Sequence, residues 1–276
     1  MIDSRNHGAH AKKQLGQHFL YDPAVLARIV RAIQPQPDQI LVEIGPGQGA
    51  LTQVVLRTLL ETANAHFDAE HPALTVIEFD RDLIPGLHRI SAELAPLRII
   101  HDDVLEVGLS ALAGHQPIRL FGNLPYNISS PILFHALAHA DAISDMHFML
   151  QKEVVERMVA PPGDKTYGRL SVMVQAYARA ELLFRVGPGA FRPPPKVDSA
   201  VVRLLPYPRK AIGINDPALF ARLVKAAFAQ RRKTLRNALQ EVCTPDQMLA
   251  VGIDPGDRAE RIPVAQFIAL ANAIGA

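Results

Sequence analysis

The chain has 276 residues, 49% of them hydrophobic, a net charge of +2 and a single cysteine, Cys243. That length holds one large domain or two smaller ones, and one cysteine excludes an internal disulfide framework and a cysteine metal cluster. No apolar run approaches a membrane span, and the polar, basic stretch Met1 to Lys13 lacks the apolar core of a secretory signal, so a cytoplasmic protein without membrane attachment is expected.

Residues 1–13 read as a disordered basic arm. Asp22-Pro23 is an N-cap followed by proline at the first helical position. Val25, Leu26, Ile29, Val30 and Ile33 follow at helical spacing until Pro35 and Pro37. Ile40 to Ile44 is a short apolar run, the pattern of a buried parallel strand, and Gly45-Pro46-Gly47-Gln48-Gly49 leads from it into a helix over 50–61. Strands are predicted at 74–78, 97–101, 118–122 and 146–150, with helices at 81–94 and 130–139 between them. Residues 58–73 read as an inserted, partly polar loop containing Asn64, His66 and His71. Strands alternating with helices imply a parallel sheet covered on both faces.

From Tyr167 the pattern changes. A helix near 170–177 is followed by extended runs at 182–186 and 200–205, joined by the proline-rich stretch 191–199, which suggests an antiparallel edge. Beyond the linker 206–213 only helices are predicted, near 216–229, 233–243, 245–251 and 263–273. Arg209 to the end carries 10 Lys+Arg against 6 Asp+Glu, so the basic excess sits in the C-terminal quarter. This is the footprint of a polyanion contact or of a solvated basic face. Arg231, Arg232, Lys233 and Arg236 concentrate it, and on the predicted helix Arg232 and Arg236 share a face.

Polar residues close three successive strands. Glu78 can accept from both ribose hydroxyls, and Asp103, or its neighbour Asp102, from an adenine amino group. Asn123 opens Asn123-Leu124-Pro125-Tyr126. Its amide offers an acceptor and two donors, Pro125 forces the loop out of helix, and Tyr126 offers a ring for a base. Alone, the tetrapeptide is equally a strand-ending turn. The glycine segment 45–49 lets a ligand approach a helix N-terminus, but it is G-x-G-x-G and Pro46 removes a donor, which favours a nucleoside or an amino-acid-bearing ligand over a pyrophosphate. His18 is either a donor to a cofactor or a surface imidazole. His135 and His139 lie four apart without a third ligand nearby, so no metal is expected.

Together these residues resemble the ribosomal RNA adenine dimethyltransferase family, which dimethylates two adjacent adenosines near the 3′ end of small-subunit rRNA. The resemblance runs through 13–20, Glu43-Ile44-Gly45-Pro46-Gly47-Gln48-Gly49, Glu78-Phe79-Asp80-Arg81-Asp82, Asp103, the Asn123 tetrapeptide, Phe191 to Ser199, and 228–235. It implies an α/β, Rossmann-like methyltransferase sheet over 1–208 and a small all-helical domain over 209–276 that contacts rRNA. It places His18, Leu20, Gly45, Gly47, Glu78, Asp103 and Asn123 around S-adenosylmethionine. Asn123 with the Leu124 or Pro125 carbonyl would grip the adenine amino group, while Tyr126 and Phe191 would stack on the base. The implied partner is small-subunit (16S) rRNA in a pre-ribosomal 30S particle, the implied state a monomer. Two alternatives stand beside this reading: an N6-adenine methyltransferase of large-subunit rRNA or DNA, and an assembly factor whose binding dominates.

Overall fold

The computed structural model of the chain describes residues 12, 17–62, 66–114, 116–230 and 232–275. The expected basic arm apart from Lys12, Asn64 of the inserted loop, and Arg231 lie outside them.

The first half alternates strands and helices: β1 (Phe19–Leu20), α1 (Pro23–Ile33), β2 (Ile40–Ile44), α2 (Ala50–Leu60), β3 (Leu74–Glu78), α3 (Ile84–Glu93), β4 (Leu97–His101), β5 (Ile118–Asn123), α4 (Ser129–Ala138) and β6 (Ile143–Gln151). Then come α5 (Lys152–Val159), α6 (Arg169–Gln175), β7 (Ala178–Val186), β8 (Phe191–Arg192) and β9 (Ser199–Pro206). The chain ends in α7 (Arg209–Ile212), α8 (Pro217–Ala227), α9 (Leu235–Ala238), α10 (Pro245–Ala250) and α11 (Val264–Ile274). The large sheet has the order β4-β3-β2-β5-β6-β9-β7, and β1 pairs separately with β8. Its first five strands are parallel. The chain moves outward from β2 to β4 and then returns to β5 on the other side of β2, so the order reverses between β2 and β5. Such a reversal opens a crevice at the carboxyl ends of the strands.

Local chemistry explains these elements. The Asp22 carboxylate accepts from Ala24 and Val25 N–H groups and caps α1. Leu26, Ile29, Val30 and Ile33 form its buried stripe, each contributing roughly 1.5–3 kcal/mol. At its far end the Arg119 guanidinium, at the start of β5, donates to the Ile33 and Gln34 carbonyls and pairs with Asp145 at 2.7 Å. It thereby satisfies carbonyls that a helix end leaves unpaired. β3 is buried throughout, as a strand covered on both faces should be. In β5, Gly122 lies so close to β2 that a Cβ there would sit 2.2 Å from the Ile44 carbonyl oxygen.

The chain forms two compact units, Met1–Lys152 with Leu183–Arg203, and Glu153–Leu182 with Leu204–Ala276. A single boundary after 208 does not reproduce this division. Tyr167, Val172, Met173 and Ala176 share one hydrophobic cluster with Phe220, Leu223, Phe267 and Leu270, so 153–182 groups with the C-terminal helices. α5 was not predicted, although Val155 and Met158 form its buried stripe. The helix expected over 233–243 is confined to α9: Thr234 is extended just before it, and Leu239, at φ −110° and ψ 12°, leaves helical geometry just after it. Arg232 and Arg236 therefore do not share a helical face. Both are exposed, as is Lys233, and among the described residues none of the three has an ion-pair partner.

The inserted loop enters β3 at its N-terminal end, where Ala73 N–H meets the Pro96 carbonyl at 2.9 Å. It is thus at the opposite end of the strand from Glu78. The Asp68 carboxylate organises it, accepting from Glu70 and His71 N–H groups.

Gly122→Ala should destabilise the protein by roughly 1–3 kcal/mol or more, because the obstacle is backbone and cannot rotate away. A lowered urea midpoint with an unchanged slope is the expected result. An unchanged midpoint would mean that β2 and β5 tolerate a wider separation.

Candidate active site

One cavity of about 250 Å³ lies at the carboxyl ends of the parallel strands. His18, Gly45, Gly47, Glu78, Asp102, Asp103, Asn123, Leu124, Pro125 and Tyr126 all line it. Both aspartates reach it, so position alone does not choose between them. Asp103 is partly engaged already, its carboxylate accepting from Leu105 N–H at 2.9 Å.

The glycine loop makes the cavity's floor. Gly47 has φ +60°, and a Cβ there would meet the Phe19 ring at 3.1 Å, so glycine admits both the turn and the close approach of Phe19. The Gly47 N–H donates to one Glu78 carboxylate oxygen at 3.0 Å, and the Asp80 N–H to the other at 2.8 Å. Glu78 is only 6% exposed. Burial raises its pKa against the pull of those N–H donors. A carboxylate has about four acceptor positions, so it keeps capacity for ligand hydroxyls.

The Asn123 amide is oriented by the chain itself. Its Nδ2 donates to the His18 carbonyl at 2.9 Å, which leaves the amide oxygen as an acceptor. The Pro125 carbonyl already accepts from Ile128 N–H. Tyr126 is half-buried, and its hydroxyl is 2.6 Å from Ser199 Oγ. The His18 ring stacks on the Tyr126 ring, centroids 5.5 Å apart and planes 28° from parallel. His18 Nδ1 lies 2.8 Å from the Pro193 carbonyl. A carbonyl only accepts, so Nδ1 carries the proton.

Two expected site residues are placed elsewhere. Phe191 pairs with Leu20 across β8 and β1, and both side chains are buried in the hydrophobic core with Leu26, Val186 and Val201. Neither lines the cavity. The ring beside Tyr126 is that of His18. His135 and His139 bond to the Val107 carbonyl and to Ser110 Oγ, and the described residues contain no group of three potential metal ligands.

Other groups stand inside or beside the quoted motifs but were given no role of their own. Gln17 and the 60%-exposed Phe79 line the cavity. Lys12 Nζ bridges Asp80 at 2.6 Å and Asp82 at 2.8 Å, and the Gln17 amide donates to Asp80 at 2.8 Å. Burial would raise the Asp80 pKa, but the Lys12 and Gln17 hydrogen bonds outweigh it and hold it below the usual range. Glu43 lies beneath the loop, 1% exposed, accepting from Thr52 Oγ1 at 2.6 Å. For Asp80 and Glu43 the signal was an acidic residue inside a motif, with nothing to show which was buried.

The sequence profile described as ribosomal RNA adenine dimethylase matches residues 8–275. The chain is 61% identical over 264 residues to ribosomal RNA small subunit methyltransferase A of Xanthomonas campestris pv. campestris (strain B100), covering 96% of each, and 61% identical to the protein so named in Xanthomonas axonopodis pv. citri. A crystal structure of a dimethyladenosine transferase from Plasmodium falciparum superposes with TM-score 0.75 at 23% identity, over 94% of this chain and 98% of that one. That of the 23S rRNA methyltransferase ErmE gives 0.67 at 23% identity, over 94% and 100%. Those two structures share the fold.

Burial pushes the Glu43 carboxyl up to about 8, with the Glu78 charge adding to the rise. In the unfolded chain the same group titrates near 4.5. Between the two values the folded protein keeps a proton that the unfolded chain has released, so stability falls as pH rises through this window. Glu43→Gln should therefore change the melting temperature little near pH ~5 and raise it by roughly several degrees near pH ~9. A difference independent of pH would show that Glu43 is ionised in the folded state.

Proposed function

The chain belongs to the ribosomal RNA adenine dimethylase family, and we propose that it transfers methyl groups from S-adenosylmethionine to the N6 amino groups of two adjacent adenosines near the 3′ end of small-subunit (16S) rRNA. The small subunit is favoured over the large one by the names of the relatives at 61% identity. The observation that carries the site reading is the convergence of Glu78, Asp103 and the Asn123 tetrapeptide on one cavity, with the Asn123 amide oxygen left as an acceptor.

The donor set suits a nucleoside that carries an amino acid. Glu78 would accept from the ribose hydroxyls, Asp103 from the adenine amino group, and the glycine loop would let the rest lie against backbone. S-adenosylmethionine supplies an electrophilic methyl group on a sulfonium. The chain's part is to present the nucleophile. An adenine N6 is a poor one because its lone pair is delocalised into the ring. Acceptors facing its two N–H bonds favour a pyramidal nitrogen with the lone pair free. Asn123 supplies one acceptor. The Leu124 carbonyl is the better second, since the Pro125 carbonyl is already engaged by Ile128. Tyr126 would hold the extruded base by stacking, and a duplex-stacked base must leave its neighbours to reach it. Catalysis then rests on orientation and electrostatics more than on proton transfer. The substrate is a pre-ribosomal 30S particle, met in the cytoplasm by a monomer. Incubation with labelled S-adenosylmethionine and undermethylated small subunits, followed by mapping of the label, tests the activity. Label outside two adjacent adenosines near the 3′ end would overturn it.

Glu78→Ala should weaken S-adenosylmethionine binding by roughly 1.5–3 kcal/mol, the worth of a hydrogen bond to a charged group. Calorimetry showing unaltered affinity would remove Glu78 from the site.

Arg232 and Arg236 are exposed and unpaired among the described residues, so they remain candidates for phosphate contacts without a shared helical face. Arg232→Ala/Arg236→Ala should weaken subunit binding and flatten its salt dependence, because fewer counterions are released. S-adenosylmethionine affinity should not change. Binding across a salt series decides this, and a slope equal to that of the parent protein would exclude both arginines from the contact.

A further inference from the structure

We propose that Ser199 is a positioning residue for the target base, its hydroxyl anchoring the tip of the Tyr126 ring and so the place of the platform on which the base stacks. This deepens the function proposed above and rests on it. Ser199 opens β9 and is completely buried. It does not line the cavity, so its hydroxyl meets no ligand there. Its neighbour is the Tyr126 hydroxyl at 2.6 Å, the short end of the range for such bonds.

A stacking platform needs only a ring, and phenylalanine would supply one. The tyrosine hydroxyl adds a fixed tip. Tyr126 sits in a loop, where its two side-chain torsions are otherwise limited only by packing. A bond at the far end of the ring fixes the first torsion and the place of the tip; the oxygen lies on the axis of the second, so the plane of the ring is set by the in-plane preference of the phenolic O–H and by what packs on its face. The His18 imidazole is offset against one face of the same ring, and His18 is itself tied through Nδ1 to the Pro193 carbonyl at 2.8 Å. The base is left the other face. The serine has firm support too. Lys152 N–H donates to the carbonyl of the preceding residue, Asp198, at 2.9 Å, and the Lys152 ammonium lies 3.8 Å from the Asp198 carboxylate. Thus the ring is held at its tip by one segment and on one face by another. Burial raises the Tyr126 pKa and the Ser199 hydrogen bond only partly offsets it. The phenol therefore stays neutral and serves as a hydrogen-bonding group. Misorientation of a reacting base costs rate more than affinity, and most of the affinity for a ribosomal particle comes from contacts remote from one base.

The test uses the full chain, undermethylated small subunits and S-adenosylmethionine. Ser199→Ala and Tyr126→Phe each remove the same bond. Each should lower the single-turnover methylation rate roughly threefold to tenfold. The double variant should lose no more than the worse single one, since the residues act as a unit. S-adenosylmethionine affinity by calorimetry and subunit affinity should stay at the parent values, a split that a general loosening of the cavity would not give. Losses that multiply in the double variant, or a fall in cofactor affinity matching the fall in rate, would overturn the proposal. If Ser199→Ala does not fold, Tyr126→Phe carries the test alone, and a parental rate overturns it. Tyr126→Ala separates this proposal from the reading beneath it. A parental rate in Tyr126→Ala removes Tyr126 as a platform. A large loss there, with parental rates in Ser199→Ala and Tyr126→Phe, overturns the role of Ser199 alone.

Discussion

The parallel ladder between β2 and β5 is the constraint on which the site depends. Its register pairs Ile40 with Ile118 and Glu43 with Phe121, so both strands end at the same level. The Gly122 contact with the Ile44 carbonyl keeps them close at that end. The glycine loop and the Asn123 loop therefore leave the sheet side by side, at the point where the strand order reverses. Gly45 N–H still reaches the Ile77 carbonyl at 2.9 Å, which brings β3 and Glu78 into the same rim. The Asn123 amide then recruits the His18 carbonyl. That bond lays β1 beside the crevice, and its partner β8 brings the segment ending at Ser199 with it. Distant parts of the chain meet because one ladder fixes where the strands stop.

Three carboxyl groups near that rim behave differently because they have different partners. Glu43 has a hydroxyl partner and, among the described residues, no cation in contact, so burial raises its pKa to about 8. Glu78 receives backbone N–H groups, which reduce the effect of burial without reversing it. Asp80 has the Lys12 ammonium and the Gln17 amide, and its pKa falls. A cation in contact decides the direction of the shift; neutral donors moderate it. The consequence is a graded rim, neutral beneath the glycine loop and firmly anionic where the N-terminal segment attaches.

Much of this was legible in the sequence. Parallel strands buried on both faces must be short apolar runs, and β2 and β3 have the predicted limits, as does the partly covered edge strand β4. Proline and aspartate marked the start of α1 for the same local reason that they cap it. Polar residues at the carboxyl ends of such strands converge by topology alone, which is why Glu78, Asp103 and Asn123 could be named together. The division into units was not legible, because 153–182 joins the C-terminal helices through Tyr167, Val172 and Met173, and only packing reveals which core an apolar residue enters. Nor was the short extent of α9. Its apolar positions Leu235 and Leu239 are both buried, but Thr234 is extended before the helix and Leu239 leaves helical geometry after it.

The two aromatic residues show where pattern stops being sufficient. Phe191 and Tyr126 both stand beside prolines and polar residues, in segments that the sequence places near the site. Their environments differ because of pairing. Phe191 lies in a strand opposite Leu20, and that pairing turns its side chain into the core, where an entirely apolar ring leaves no polar atom unsatisfied. Tyr126 belongs to no strand, and its hydroxyl requires a partner as the ring becomes half-buried. Ser199 meets that requirement at the edge of the cavity and keeps the ring facing it. The polar tip is thus what separates the two rings. A phenylalanine here is held by burial alone and follows the core, whereas a tyrosine can be held by one bond at its tip while a face stays open.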